Sequence, residues 1–192
     1  MKTRIKIQGC LIFVAAVTLI FYSRYLLPDY KNQAQRILFD IVGTGLFLAG
    51  YYLRIAARGY KVELDPGAKA LAVKGLYALT RNPMYLGTLL IGLGITFLLL
   101  KWWLGLIFLS VYLIIYIPQI KKEEEKLSAL FGPVFKNYCK STPRFFPRVR
   151  ALSHPGEWQG IRFKLAWIKK ESNSLVPAIL FILGIKILEC LK

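Results

Sequence analysis

Arg81-Asn82-Pro83-Met84-Tyr85-Leu86-Gly87 stands where a basic loop turns into an uncharged apolar run, and Glu123-Glu124-Glu125 follows where the next apolar run ends. Between them lie two runs, 84–100 and 102–118, parted only by Lys101. Together they are far too long for one crossing of a hydrocarbon core about 30 Å thick, and each is nearly long enough alone. The stretch 84–118 therefore reads as a tight helical hairpin turning at Lys101-Trp102-Trp103, with the tryptophans at the membrane interface. Its two feet, Arg-Asn-Pro and the Glu triplet, then face the same aqueous side.

The rest of the chain fits a membrane protein. Of its 192 residues 56% are hydrophobic, and the net charge is +17. Further apolar runs occupy 9–27, 37–53 and the shorter 175–188, which contains Lys186. The expected fold is all-α and polytopic, with four to five transmembrane helices, the last of them spanning or lying in the interface. Basic residues number three in 2–6, six in 54–81 and twelve in 121–170, together 21 of the 27. That asymmetry places the N-terminus and both hairpin feet in the cytosol and Lys101 outside. It accounts for the charge through topology and anionic lipid, so no nucleic-acid partner is implied. Cys10, Cys139 and Cys190 lie far apart, which suggests neither a metal site nor a disulfide framework. Arg24-Tyr25-Leu26-Leu27-Pro28 lacks small residues, so the first run is not expected to be a cleavable signal peptide.

In chain order, Asp40 is a carboxylate within an apolar run, either functional or in reach of interfacial water. Gly43, Gly45, Ala49 and Gly50 offer a small-residue face for close helix packing. The second helix is expected to continue past Arg54 into the headgroups. Asp65-Pro66-Gly67 reads as a turn. The segment 71–77, broken by Gly75, suits a pocket wall or an interfacial loop.

Pro83 fits the first turn of a helix and Asn82 its N-cap. The free amides of that helix start, with Arg81 beside them, would suit a carboxylate or phosphate. After the hairpin, a helix is expected over 119–131, ending at Gly132 with a new turn from Pro133. Helical spacing puts Glu123, Leu127 and Leu130 on one face, with Glu124, Ser128 and Phe131 beside it, while Glu125 points away. An inward Glu pair would suit a cation or the hydroxyls of a ribose. Phe145 and Phe146 could cover a cavity, and His154, the only histidine, reads as a surface residue.

Four features in this order resemble the isoprenylcysteine carboxyl methyltransferase family of integral-membrane methyltransferases. They are Gly75-Leu76-Tyr77, Arg81-Asn82-Pro83-Met84-Tyr85, Glu123-Glu124-Glu125 with Phe131-Gly132 and Tyr138, and Arg144-Phe145-Phe146-Pro147. The resemblance covers about 69–149. It implies a methyltransferase-like module there, flanked by N-terminal helices with their connection (1–68) and a tail (150–192). It further implies that S-adenosyl-L-methionine lies in a pocket at the cytosolic face. Matching positions would contact it through Lys69, Ala70, Leu71, Ala72, Tyr77, Asn82, Pro83, Tyr85 and Glu123, with Glu124 adjacent. Lys69 and Asn82 stand where the family has His. Gln119 stands where it has the arginine that meets the acceptor's carboxylate.

A sulfonium-activated methyl needs alignment and desolvation more than acid–base groups. The expected function is therefore methyl transfer from S-adenosylmethionine to a lipophilic acceptor that enters from the bilayer. That acceptor is a prenylcysteine carboxylate or a lipid amine, thiol or hydroxyl, and the missing arginine leans against the carboxylate. The alternatives are an NADPH-dependent sterol-type reductase and a non-catalytic scaffold or transport subunit.

Overall fold

The computed structural model describes residues 23–28, 30–64, 70–147, 164 and 166–190. Most of the first apolar run, Lys69, the Asp65-Pro66-Gly67 turn and His154 lie outside the described residues. Within them the chain is helical without strands: α1 Ser23–Leu26, α2 Gln33–Leu64, α3 Leu76–Leu79, α4 Pro83–Leu99, α5 Trp102–Ser141 and α6 Ala166–Cys190. Two of these, α2 and α5, are long and apolar enough to cross a membrane, while α4 and the 175–187 part of α6 are shorter apolar stretches.

The tightest packing joins α2 to α4, and glycines make it possible. A Cβ on Gly50 would come 2.6 Å from the Gly87 carbonyl oxygen, and one on Gly94 would come 2.7 Å from that of Gly43. The two contacts, seven residues apart on each helix, set the pair antiparallel with backbone against backbone. Gly45 and Ala49, expected on the same face, are not part of it. Gly45 has nothing near it and Ala49 is exposed, because they fall off the stripe that repeats every seven residues.

The hairpin turns where expected. Helix α4 stops at Leu99, Lys101 donates its amide to the Leu26 carbonyl at 3.0 Å, and α5 begins at Trp102. Trp102 and Trp103 are exposed at this turn, and Ile114, Ile115 and Ile117 are exposed further along α5, as on a lipid-facing surface. Pro118 does not end the helix, which continues through the Glu triplet. It breaks at Gly132, whose φ of 49° lies in the left-handed region that favours glycine.

Helix α6 lies antiparallel to α2. At one end Trp167 packs on Gly59 and donates its indole N–H to Glu63 at 2.8 Å. At the other, Lys186 meets Asp40. The rise of 1.5 Å per residue separates these contacts by about 28 Å along α6, close to the hydrocarbon thickness of roughly 30 Å. Trp167 belongs to the same buried cluster as Ala72, Leu76 and Tyr77, so the tail reaches the back of the wall that carries the candidate site.

Candidate functional site

Both feet of the hairpin converge on one cleft, formed where α3, the start of α4 and α5 meet. The link into α4 is built first. Gly75, at φ 65°, lets the chain turn sharply into α3. Thr80, Arg81 and Asn82 then run alongside the segment that follows α5. The Thr80 hydroxyl donates to the Phe145 carbonyl at 2.8 Å, and the Arg81 amide to the Pro143 carbonyl at 2.9 Å. The Asn82 carboxamide donates to the Arg144 carbonyl at 2.9 Å. Asn82 stands at the N-cap position of α4 as expected, but its side chain makes no capping bond because it is used across the chain instead. Pro83 occupies the first turn.

The two inward acids have different surroundings. Glu124 is buried and its Oε2 accepts from Arg144 through Nε at 3.0 Å and Nη2 at 2.8 Å. Its Oε1 is 3.3 Å from Arg81 Nε, near enough for an ion pair although not aligned for a hydrogen bond, and 3.4 Å from Asn82 Nδ2. Arg81 and Glu124 thus meet each other first. The anion site expected beside Arg81 is already filled by this chain's own carboxylate.

Glu123 is half-buried and its partners are neutral: the Tyr85 hydroxyl donates to Oε1 at 2.6 Å and the Gln119 amide at 3.3 Å. Glu125 is exposed, as the helical spacing required. Leu130, expected on the inward face with Glu123, is instead 72% exposed; the inward stripe of α5 runs through the buried Ile120 and Glu124 and the half-buried Leu127. The face is turned by about one residue, because Glu124 is drawn inward by two arginines.

Ala70, Leu71, Ala72, Tyr77, Arg81, Asn82, Pro83, Tyr85, Glu123 and Glu124 all line the cleft. Gln119 stands behind Glu123, outside the lining. Tyr77 is buried, and its carbonyl accepts the Tyr138 hydroxyl at 2.6 Å. Burial pushes the Tyr77 phenol up, with the Glu123 charge and Tyr60 adding to the effect, so it stays neutral. Phe145 and Phe146 pack on each other away from the cleft, and Phe135 takes the covering position. Lys61 and Leu127 also line the cleft. The signal for Lys61 was present in Arg54, Arg58 and Lys61, which follow one another at helical spacing on α2. Among the described residues no cluster of His, Cys, Asp and Glu could hold a metal. Another hollow, of about 230 Å³, lies by the hairpin turn among Lys31, Lys101 and Trp102, away from these motifs.

The match to the phospholipid methyltransferase family runs over residues 38–134. It takes in most of α2, the hairpin and the Glu triplet, and ends two residues past the Gly132 break. No curated protein and no solved structure matches the chain. With half of its length matched, and with the hairpin and both polar feet inside that half, the chain belongs to the phospholipid methyltransferase family, which is related to the isoprenylcysteine carboxyl methyltransferases.

Proposed function

We propose that the protein methylates the amine of a membrane lipid, with S-adenosylmethionine seated in the cleft between α3, α4 and α5. The supporting observation is the contrast between the two acids. Arg81 and Arg144 are both drawn to Glu124, whereas the partners of Glu123 among the described residues are a hydroxyl and an amide. A partly desolvated carboxylate with no counter-ion among the described residues attracts a cation and repels a second carboxylate. An ammonium acceptor is therefore held where a prenylcysteine carboxylate would be repelled.

S-adenosylmethionine supplies a methyl group already activated by its sulfonium. The residues present fit such a ligand. Ala70, Leu71, Ala72, Leu127 and Phe135 give an apolar wall for a ring, and Lys61 is a cation at the lining for a carboxylate. The cleft encloses about 100 Å³, less than the roughly 300 Å³ of a site that surrounds a whole drug-sized ligand. A cofactor seated there keeps part of its surface outside. The acceptor nitrogen must lose its proton before its lone pair can attack, and Glu123, held by Tyr85, is a base placed to take it.

Calorimetry of the detergent-solubilised protein with S-adenosylmethionine, S-adenosylhomocysteine and NADPH tests the cofactor. Transfer of a labelled methyl to vesicles of a phospholipid with a primary amine headgroup, and in parallel to a farnesylcysteine analogue, tests the acceptor. Binding of the first two ligands and label in the lipid amine are expected. Binding of NADPH alone would move the reading to a reductase. Strong activity on the farnesylcysteine analogue alone would overturn the amine.

A further inference from the structure

On α5, Tyr112, Tyr116, Gln119 and Glu123 follow one another at intervals of four, three and four residues, so they share one face. Tyr112 is buried and donates its hydroxyl to the Tyr85 carbonyl at 2.6 Å. Tyr116 stacks on Tyr112, with ring centroids 4.2 Å apart and planes at 20°. Its ring meets that of Tyr85 at 5.5 Å and 64°. Tyr85 in turn holds Glu123.

Tyr85 and Glu123 line the cleft, while Tyr116 and Gln119 do not. Tyr116 is half-buried, Gln119 is exposed, and the exposed Ile114, Ile115 and Ile117 flank them on α5. The bonded pair Tyr85 and Glu123 thus stands at the rim of the cleft, next to the apolar outer surface of the hairpin. Tyr116, stacked on Tyr112 and meeting the Tyr85 ring, therefore stands one side chain away from the Glu123 carboxylate that Tyr85 holds. Aromatic faces combined with a carboxylate are a chemistry for cations, above all for methylated ammonium groups, which shed water easily.

Resting on the lipid-amine reading above, we infer that Tyr116 is a specificity-determining residue that, with Tyr85 and Glu123, holds the acceptor's ammonium at the rim of the cleft and favours amines already carrying methyl groups. A primary ammonium is held mainly by Glu123 through hydrogen bonds. Each added methyl removes a donor and increases contact with the rings, so the contribution of Tyr116 grows along a series of successive methylations.

The test compares wild type with Tyr116→Phe and Tyr116→Leu, using lipid amines with zero, one and two methyl groups as acceptors. Tyr116→Leu is expected to raise KM for the dimethylated lipid about tenfold, within the range of a desolvated cation–π contact. It should change KM for the primary amine about twofold at most, so the ratio of the two KM values, which a merely structural loss would not move, carries the result. Tyr116→Phe keeps the ring and should behave as wild type. A parallel measurement follows binding of a short-chain phospholipid with a trimethylammonium headgroup by calorimetry, which needs no turnover. Binding by wild type and Tyr116→Phe, and its loss in Tyr116→Leu, supports the ammonium site even if no methyl transfer occurs; in that case the catalytic reading fails and the site stands. Equal effects of Tyr116→Leu on all three acceptors, or unchanged trimethylammonium binding in that variant, would overturn the inference.

Discussion

Lys186 Nζ lies 2.9 Å from Asp40 Oδ1, joining the far end of α6 to the start of α2. Each residue is, in sequence, a charge within an apolar run, and each answers the other. The pair also settles the register of α6. With Trp167 fixed at Gly59 and Glu63, a shift by one turn would separate both contacts. Arg36 reaches the same carboxylate at 4.0 Å, so Asp40 sits between two cations.

Replacing Lys186 with Met should therefore lower stability by about 1–3 kcal/mol, between the values for exposed and buried pairs. The double variant Asp40→Asn, Lys186→Met should recover most of that loss. Thermal unfolding of the solubilised protein in a double-mutant cycle measures it. Additive losses would mean that the two side chains do not act as a pair.

A sidedness prediction follows from the same end-to-end geometry. Lys101, Asp40 and Lys186 lie at one end of the helices, and Glu125 lies with the cleft at the other. In a variant without the native cysteines, cysteine at position 101 should label from outside the cell, and cysteine at position 125 only after permeabilisation. The reverse pattern would invert the orientation drawn from the basic residues. Labelling of both from one side would deny that the hairpin spans.

The two inward acids should separate in function. Glu123→Gln is expected to weaken S-adenosylmethionine binding by about 1.5–3 kcal/mol, the range for a hydrogen bond to a charged group, with little change in melting temperature. Glu124→Gln should act on the fold, costing about 3 kcal/mol, since it leaves the largely covered Arg81 beside a neutral group. Glu125→Gln should do neither. Calorimetric titration and thermal unfolding of the three variants decide. Similar behaviour of Glu123→Gln and Glu125→Gln would return the triplet to a solvated charge run.

Close packing of α2 on α4 gives a further contrast. Gly50→Ala pushes a methyl group onto the Gly87 backbone and should cost about 1–3 kcal/mol, as overpacking does. Gly45→Ala meets nothing and should leave the melting temperature unchanged. Equal effects would place the helix interface elsewhere.

How far the sequence could be read depended on whether a signal was local. The hairpin turn at Lys101, the helix start at Pro83 and the break at Gly132 each follow from residues adjacent in the chain, and each stands where the sequence puts it. The inward acids were legible as a pair, because helical spacing is a local property. What each acid pairs with was not, since Arg144 reaches Glu124 from a segment whose placement depends on Thr80 and Asn82. Asn82 shows the same limit. Its position is that of a cap, but a carbonyl arriving from residue 144 competes successfully for its side chain. Lys61 was missed because a helix extending past the apolar run exposes a basic face whose neighbour across the cleft is known only from the fold. The small-residue face of α2 was half right, since small residues mark a possible contact and only the partner's stripe, Gly87 and Gly94, selects Gly43 and Gly50.

Gln119 donates its amide to Glu123 Oε1 at 3.3 Å. An arginine at that position would place a full positive charge beside the carboxylate that the amine reading requires to be unneutralised. Gln119 is exposed and lies outside the cleft lining, so Gln119→Arg should fold normally, with an unchanged melting temperature. Transfer to a lipid amine should fall at least about tenfold, since a close charge pair near a protein surface exceeds 1.4 kcal/mol. Transfer to a farnesylcysteine analogue should rise from the wild-type level, because the new guanidinium can meet a carboxylate in bidentate fashion. Labelled methyl transfer to the two acceptors, measured side by side at low salt, gives the ratio that matters. An unchanged ratio would mean that the acceptor does not pass by Glu123.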